Sequence, residues 1–202
     1  MSLRIIYTYQ LKGQLGLLPP LYTYLTQLIK ADPSDHILLD LGQSCQPDIW
    51  HCQVTSGQSC LTVLDGMGYT AAHTDGLLQP AIRQNLQKHM AMHLVDQTHP
   101  LEYPYADQNL CIASNPASNQ HALTIALKAS SANQIKNGIL HLKTIEQGEI
   151  GLVWLALTPT IHIHHATTER LPDKIAPSPV ISATVDFVES EARFVQKRQN
   201  QT

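Results

Sequence analysis

Charge is scarce in this chain. Only 14% of its 202 residues are Asp, Glu, Lys or Arg, against about a quarter in most soluble domains. The formal net charge is −3, from 13 basic and 16 acidic residues. That balance supplies no cationic footprint for nucleic acid or an anionic membrane surface, so neither partner is expected. The only basic cluster, Lys197 and Arg198, lies near the end of the chain. Long hydrophobic runs are also missing, and nothing approaches the roughly 20 apolar residues of a membrane span. The opening MSLRIIYTY has no long apolar segment and no small-residue cleavage site, so no signal peptide is expected and the default compartment is the cytoplasm. A surface so poor in charge repels its own copies weakly, which points to a homo-oligomer or a stable protein partner.

Familiar catalytic signatures are absent as well. There is no P-loop, no G-x-G-x-x-G after the first strand and no G-x-S-x-G elbow. Ser56-Gly57-Gln58-Ser59 resembles a phosphate loop only loosely, and a helix N-cap is the simpler role. Tyr103 and Tyr105 lack basic neighbours and read as loop anchors, not as a base-stacking platform. None of the four cysteines forms a CxxC pair, which disfavours a zinc knuckle or a thioredoxin-like site. Cys45, Cys52 and Cys60 do cluster around His51. A metal could bind there, but buried or loop thiols in a reducing compartment are the simpler expectation.

What is present is one globular core. Hydrophobic residues make up 43% of the chain, there is no internal repeat or linker, and the length suits one domain. That domain is expected over 1–196, with a polar tail at 197–202. Leu3 to Thr8 is an apolar strand ending in a Gln10–Gly13 turn. Pro19-Pro20 opens a helix to about Lys30, with Leu21, Leu25, Leu28 and Ile29 on one face. His36 to Asp40 is a continuous apolar strand, as expected for a parallel strand buried on both faces. A loop through Trp50 and His51, a helix near 57–67, a strand at 70–73, a helix at 78–89 and a strand at 92–95 follow. After a loop at 97–105, strands are expected at 110–113, 122–128, 138–143, 150–157 and 160–166. Hairpin turns fall at Glu146-Gln147-Gly148 and Thr158-Pro159. Ser178 and Pro179 then start a helix striped by Ile181, Val185, Val188, Ala192 and Val195. The fold class is α/β, with a parallel βαβ N-terminal half and a more antiparallel C-terminal half.

In this order the landmarks resemble the calcineurin-like metallophosphoesterases, and most closely the catalytic domain of the 5′-nucleotidase branch. Where that family has T-N-D-x-H-G, this chain has Thr8-Tyr9-Gln10-Leu11-Lys12-Gly13. Its L-L-D-x-G-D is matched by Leu38-Leu39-Asp40-Leu41-Gly42-Gln43, its L-G-Y-D by Met67-Gly68-Tyr69-Thr70, and its G-N-H-E or G-N-H-D by Ala72-His73-Thr74-Asp75. Near the far end, Gly151–Leu157 is similar to an L-G-x-L-x-L strand, and Pro177–Ala183 to a D-P-x-I-x-A helix. The resemblance covers about residues 3–90 and 138–195, and implies a metallophosphoesterase-like layered α/β sandwich.

The resemblance also implies a chemistry that the residues do not support. Members of the family hydrolyse phosphate esters with two bridged metal ions. The metal-site positions carried over are Gln10, Lys12, Gln43, His73 and Asp75. A neutral amide at Gln43 is a poor bridge between two dications, and Lys12 puts a cation where a ligand belongs. The family's later G-H-x-H pair has no clear counterpart, and the 90–137 region is short. The expectation is therefore a degenerate, shortened member: a pseudoenzyme kept for binding or assembly, needing no metal. A rival reading is a hydrolase using Mn, Zn or Fe at a site rebuilt from Asp40, His73, Asp75, His162 and His164. On a strand, His162 and His164 share a face and His165 points away; the plain reading is solvent exposure, with Ile161 and Ile163 inward. A third reading is a metal-free binder of a small phosphorylated ligand through Lys12 and backbone amides.

Overall fold

The computed structural model describes residues 2–116 and 121–201. Two mixed sheets and a helical layer are stacked around two cores. The first sheet has six strands: β1 (Ser2–Thr8), β2 (His36–Asp40), β3 (Ala71–His73), β4 (His93–Val95), β10 (Glu149–Ala156) and β11 (His162–Arg170). Their order is β11-β10-β1-β2-β3-β4. The second sheet contains β5 (Leu101–Tyr105), β6 (Gln108–Ala113), β7 (Leu123–Ser130), β8 (Gln134–Lys136) and β9 (Ile139–Lys143), in the order β5-β6-β7-β9-β8.

β1 is central because alternate residues serve both cores. Leu3, Ile5 and Tyr7 pack with Leu110, Ile112, Leu123 and Ile125 between the two sheets. Ile6 packs on the other face, against the helices α1 (Leu18–Ala31), α2 (Trp50–Val54), α3 (Gln58–Gly66) and α5 (Pro179–Gln199). A strand wanted by two apolar layers reads as a near-continuous hydrophobic run, and LRIIY does so apart from Arg4. The remaining helix, α4 (Pro80–Gln87), precedes β4.

Arg4 breaks that run and is nevertheless buried. Its guanidinium caps the end of α1, donating to Leu28 O at 3.1 Å and Asp32 O at 2.7 Å, and pairs with the Asp32 carboxylate at 3.3 Å. The Trp154 indole N–H donates to the same carboxylate at 2.8 Å. A cation at a helix C-terminus offsets the dipole and satisfies orphan carbonyls. The Trp154 and Ser34 hydrogen bonds, with Arg4, hold the Asp32 carboxyl down at about 2.

The strand–helix–strand order expected for the first half holds: β1, β2, β3 and β4 run parallel. Several details differ. The 97–105 segment contains a strand, β5, at a sheet edge where Pro104 removes no needed donor. The loop before α3 contains the short helix α2. The antiparallel character of the second half is found in β1–β10, β10–β11, β5–β6 and β8–β9, whereas β6, β7 and β9 are parallel. The turn at Glu146-Gln147-Gly148 joins the two sheets and is not a hairpin. Helix α5 continues to Gln199, so Lys197 and Arg198 of the polar end segment lie in its last turn, where cations suit the dipole.

Tyr7 fills the space left by Gly151 on β10. A Cβ built on Gly151 would lie 2.0 Å from the Tyr7 ring, and the ring is held by its hydroxyl donating to Lys143 O at 3.0 Å. Gly151→Ala should therefore destabilise the fold by about 3 kcal/mol or more, the upper range for overpacking. Urea unfolding checks it, and a loss under about 1 kcal/mol would contradict the packing.

Candidate functional site

The parallel register brings three strand ends to one edge. Thr8 pairs with Asp40, Asp40 with Ala72, and His73 with Val95. The chain segments that leave β1, β2 and β3 therefore emerge side by side. The first two remain paired beyond their strands: Leu41 N donates to Thr8 O, Gln10 N to Gly42 O, Lys12 N to Gln43 O and Gly13 N to Ser44 O, all at 2.8–3.1 Å. Gln10, Lys12 and Gln43 each adopt the left-handed conformation, with φ of 58°, 53° and 56°. Non-glycine residues rarely sit there. Gly42, at φ +105°, leaves room for the His73 ring, since a Cβ would lie 3.0 Å from His73 Nδ1.

Gln43, His73 and Asp75 line one cleft of about 400 Å³, together with Tyr9, Cys45 and Lys128. The Gln43 amide donates to the Tyr9 hydroxyl at 3.0 Å. Gln10 and Lys12 open instead onto a neighbouring depression with Lys143, Glu146 and Glu149. Two lysines and two glutamates there give no net cationic charge for a phosphate.

His73 and Asp75 hold each other. His73 Nε2 is 3.1 Å from both Asp75 Oδ2 and Ser114 Oγ, while Nδ1 is 3.2 Å from Leu41 O. The Ser114 hydroxyl also bonds Asp75 Oδ2, and Asp75 Oδ1 accepts from Gln97 N at 2.9 Å. Burial pushes the Asp75 carboxyl up, but Ser114 and His73 outweigh it and the net displacement is downward. The three side chains could suggest a serine relay. In such a relay the serine and the carboxylate lie on opposite ring nitrogens. Here both share Nε2, and a backbone carbonyl occupies the other. Ser114 follows β6, and nothing in the local sequence marked it.

Asp40 is fully buried. Its Oδ2 accepts from Gly42 N at 3.2 Å, and Oδ1 has no partner among the described residues. Burial pushes its carboxyl from 3.8 up to about 7, against the opposing hydrogen bonds from Gly42 and Thr8.

His162 and His164 stand far from this edge. His162 pairs with Ala156, which pairs with Ser2 at the start of β1, the opposite end of the sheet from Gln10. A bulge between Trp154 and Leu155 also breaks the alternation: Ile163 pairs with Leu155 and His165 with Trp154, leaving His164 as the extra residue. His162 and His164 are exposed, and His165 leans on the Trp154 ring with centroids 5.1 Å apart. The structure brings Asp40, Gln43, His73 and Asp75 to one edge and leaves this pair out.

A two-metal phosphoesterase centre needs convergent anionic or imidazole donors, including one bridging carboxylate. The donor set at this edge does not fit one. The ends of β1 and β2 offer two amides and an ammonium, Asp40 is buried in a near-neutral range, and the Asp75 carboxylate is taken up by His73 and Ser114.

The class defined by this architecture is a mixed α/β fold of the 5′-nucleotidase type. No protein-family model matches the sequence, and no curated protein matches it. Solved structures do match in fold: a 5′-nucleotidase precursor from Thermus thermophilus (TM-score 0.67, 10% identity, 96% of this chain and 59% of that one); a putative 5′-nucleotidase from Staphylococcus aureus (0.64, 7%, 94% and 58%); and the NAD nucleotidase of Haemophilus influenzae (0.60, 10%, 98% and 60%). The chain spans about three-fifths of the length of the structures it matches.

Asp40 makes stability depend on pH. An acid whose folded value is raised stabilises the fold fully below its unfolded value and loses that contribution as pH rises through the folded one. Wild type should therefore weaken relative to Asp40→Asn between about pH 4 and 7, by at most about 1.4 kcal/mol per pH unit. Urea midpoints for both proteins across this range test it; parallel curves would refute the assignment.

Proposed function

We propose that this chain keeps a metallophosphoesterase fold without the two-metal hydrolysis, and serves for binding or assembly. The observation that carries the reading is the donor set at the ends of β1 and β2: Gln10, Lys12 and Gln43 stand in left-handed turns at the strand ends and offer no carboxylate or imidazole. No catalytic metal is needed at this cleft. Hydrolysis through the rival donor set would need His162 and His164 at an edge from which the register separates them.

The assembly part rests on the surface. α5 exposes Val180, Phe187 and Phe194, at 70, 59 and 56% accessibility, spaced seven residues apart on the side away from Ile181, Val185 and Val188. The half-heptad positions beside them, Ala183 and Ser190, are small, so the three form one exposed apolar ridge suited to burial against a second copy of the chain. The low charge of the chain works in the same direction.

Incubation with Mn²⁺ and a generic phosphodiester or a nucleoside monophosphate should give no turnover above background. A Mn²⁺ titration followed by electron paramagnetic resonance should show no stoichiometric binding. Two Mn²⁺ per chain with turnover that His73→Ala abolishes would overturn the proposal. A rise in melting temperature with nucleotide but without metal would replace it with a phosphorylated-ligand binder.

Light scattering should separately give a mass above 22.4 kDa, reduced by Phe187→Glu. A strict monomer at high concentration would remove the self-association part.

A further inference from the structure

Beneath the cleft lies a cluster that plays no part in the proposed function. Cys45, His51, Cys52 and Cys60 are all buried, and one ligand atom from each lies within 4.8 Å of the others. They come from three places: the segment after β2, the helix α2 and the first turns of α3. Cys45 and Cys52 are joined as a disulfide, with Cα atoms 5.7 Å apart, so the expectation of free thiols holds only for Cys60 and Cys111. The Cys60 sulfur is 3.3 Å from that of Cys45.

We propose that Cys45, His51, Cys52 and Cys60 form a closed zinc site, filled when the Cys45–Cys52 disulfide is reduced. A tetrahedral ion with Zn–S near 2.3 Å sets its sulfurs about 3.8 Å apart; the Cys60 sulfur already stands near that distance from Cys45, and reduction frees Cys45 and Cys52 to separate to it. The set is three sulfurs and one imidazole, a donor type that favours zinc over manganese or magnesium. It shares no residue with the metal positions carried over to the cleft.

His51 is prepared for the role. Its Nε2 is 2.9 Å from Gly13 O, which can only accept, so Nε2 carries the proton and Nδ1 keeps its lone pair. Nδ1 is 2.8 Å from Ser59 Oγ, which is itself 3.8 Å from the Cys45 sulfur. The Ser59 hydroxyl donates to that lone pair and must turn aside for a metal to take its place, while a backbone carbonyl fixes the ring, as outer partners do for metal-bound histidines. Glycine is required at 13 for clearance and conformation: its φ is +79°, and a Cβ there would lie 3.0 Å from the Cys52 sulfur.

A phosphine reductant breaks the S–S bond, is oxidised to the phosphine oxide with oxygen from water, and leaves two thiols. Zn²⁺ then forms three bonds to sulfur and one to Nδ1, and three protons leave to solvent. Because three thiol protons must leave for the ion to bind, uptake should strengthen with rising pH.

The test uses the full chain reduced with a phosphine and titrated with Co²⁺, then Zn²⁺. One Co²⁺ per chain is expected, with thiolate-to-cobalt charge-transfer absorption and intense tetrahedral d–d bands, both lost when one Zn²⁺ displaces it. The oxidised chain should give neither. Zn²⁺ should also protect three thiols from alkylation, and Cys60→Ala should lose the charge-transfer band. A reduced wild-type chain giving only a weak octahedral cobalt spectrum, or thiols that alkylate equally fast with and without Zn²⁺, would overturn the site without requiring any variant to fold. The Mn²⁺ titration reports on the cleft and this spectrum on the thiolates, so either proposal can fail alone.

Discussion

The backbone pairing between Gln10–Gly13 and Leu41–Ser44 is the constraint on which the rest depends. Three hydrogen bonds, from Gln10 N to Gly42 O, Lys12 N to Gln43 O and Gly13 N to Ser44 O, extend the β1–β2 pairing past the strands and into two irregular segments. They hold Gln10, Lys12 and Gln43 in a left-handed conformation that costs about 1 kcal/mol or more for each. Such strain persists only where the surroundings over-determine it. Here they do, because β1 is buried by two cores and cannot slip: a one-residue shift would turn Arg4 and Thr8 into the inter-sheet layer and Ile5 and Tyr7 out of it.

Arg4 and Tyr7 show how the same strand fixes its register from both sides. Toward the helices, Arg4 satisfies carbonyls at the end of α1 and meets the carboxylate that Trp154 also holds. Toward the second sheet, the Tyr7 ring needs the missing side chain of Gly151 and a carbonyl at the end of β9. Both contacts cross to β10 or its surroundings, so the parallel first half and the antiparallel return are locked through one strand. The three-strand edge follows from that lock and needs nothing from the chemistry it once suggested.

Much of this was legible in the sequence, for physical reasons. Short, β-branched apolar runs such as LRIIY and HILL, bounded by turn residues, point to doubly buried strands, and the Pro19-Pro20 and Ser178-Pro179 starts mark their helices directly. The polar identities of Gln10, Lys12 and Gln43 were equally plain, and the structure adds that they stand at strand ends in a strained turn. What was hidden depended on distance in sequence. β5 is carried by pairing with β6 and not by its own composition, since Pro104 argues against a strand. The parallel pairing of β6, β7 and β9 cannot be read from alternation alone, and Ser114 becomes a partner of His73 only through the fold. The His162–His165 run was misleading for the opposite reason: its local alternation looked regular, and the bulge at Trp154 and Leu155 changed it.

The cleft and the cysteine cluster are two sides of the same pair of segments. Gly13 donates its N–H to Ser44 O above and offers its carbonyl to His51 below, while Cys45 lines the cleft and belongs to the cluster. Holding Cys45 to Cys52 ties the segment after β2 to α2, and α2 is only five residues long, too short to be stable by itself. A covalent or coordinate link is what such an element needs in order to have a fixed position. The segments that end β1 and β2 are therefore secured from beneath by sulfur chemistry and from the side by hydrogen bonds. The protein's own covalent and hydrogen bonds thus fix the position of the edge.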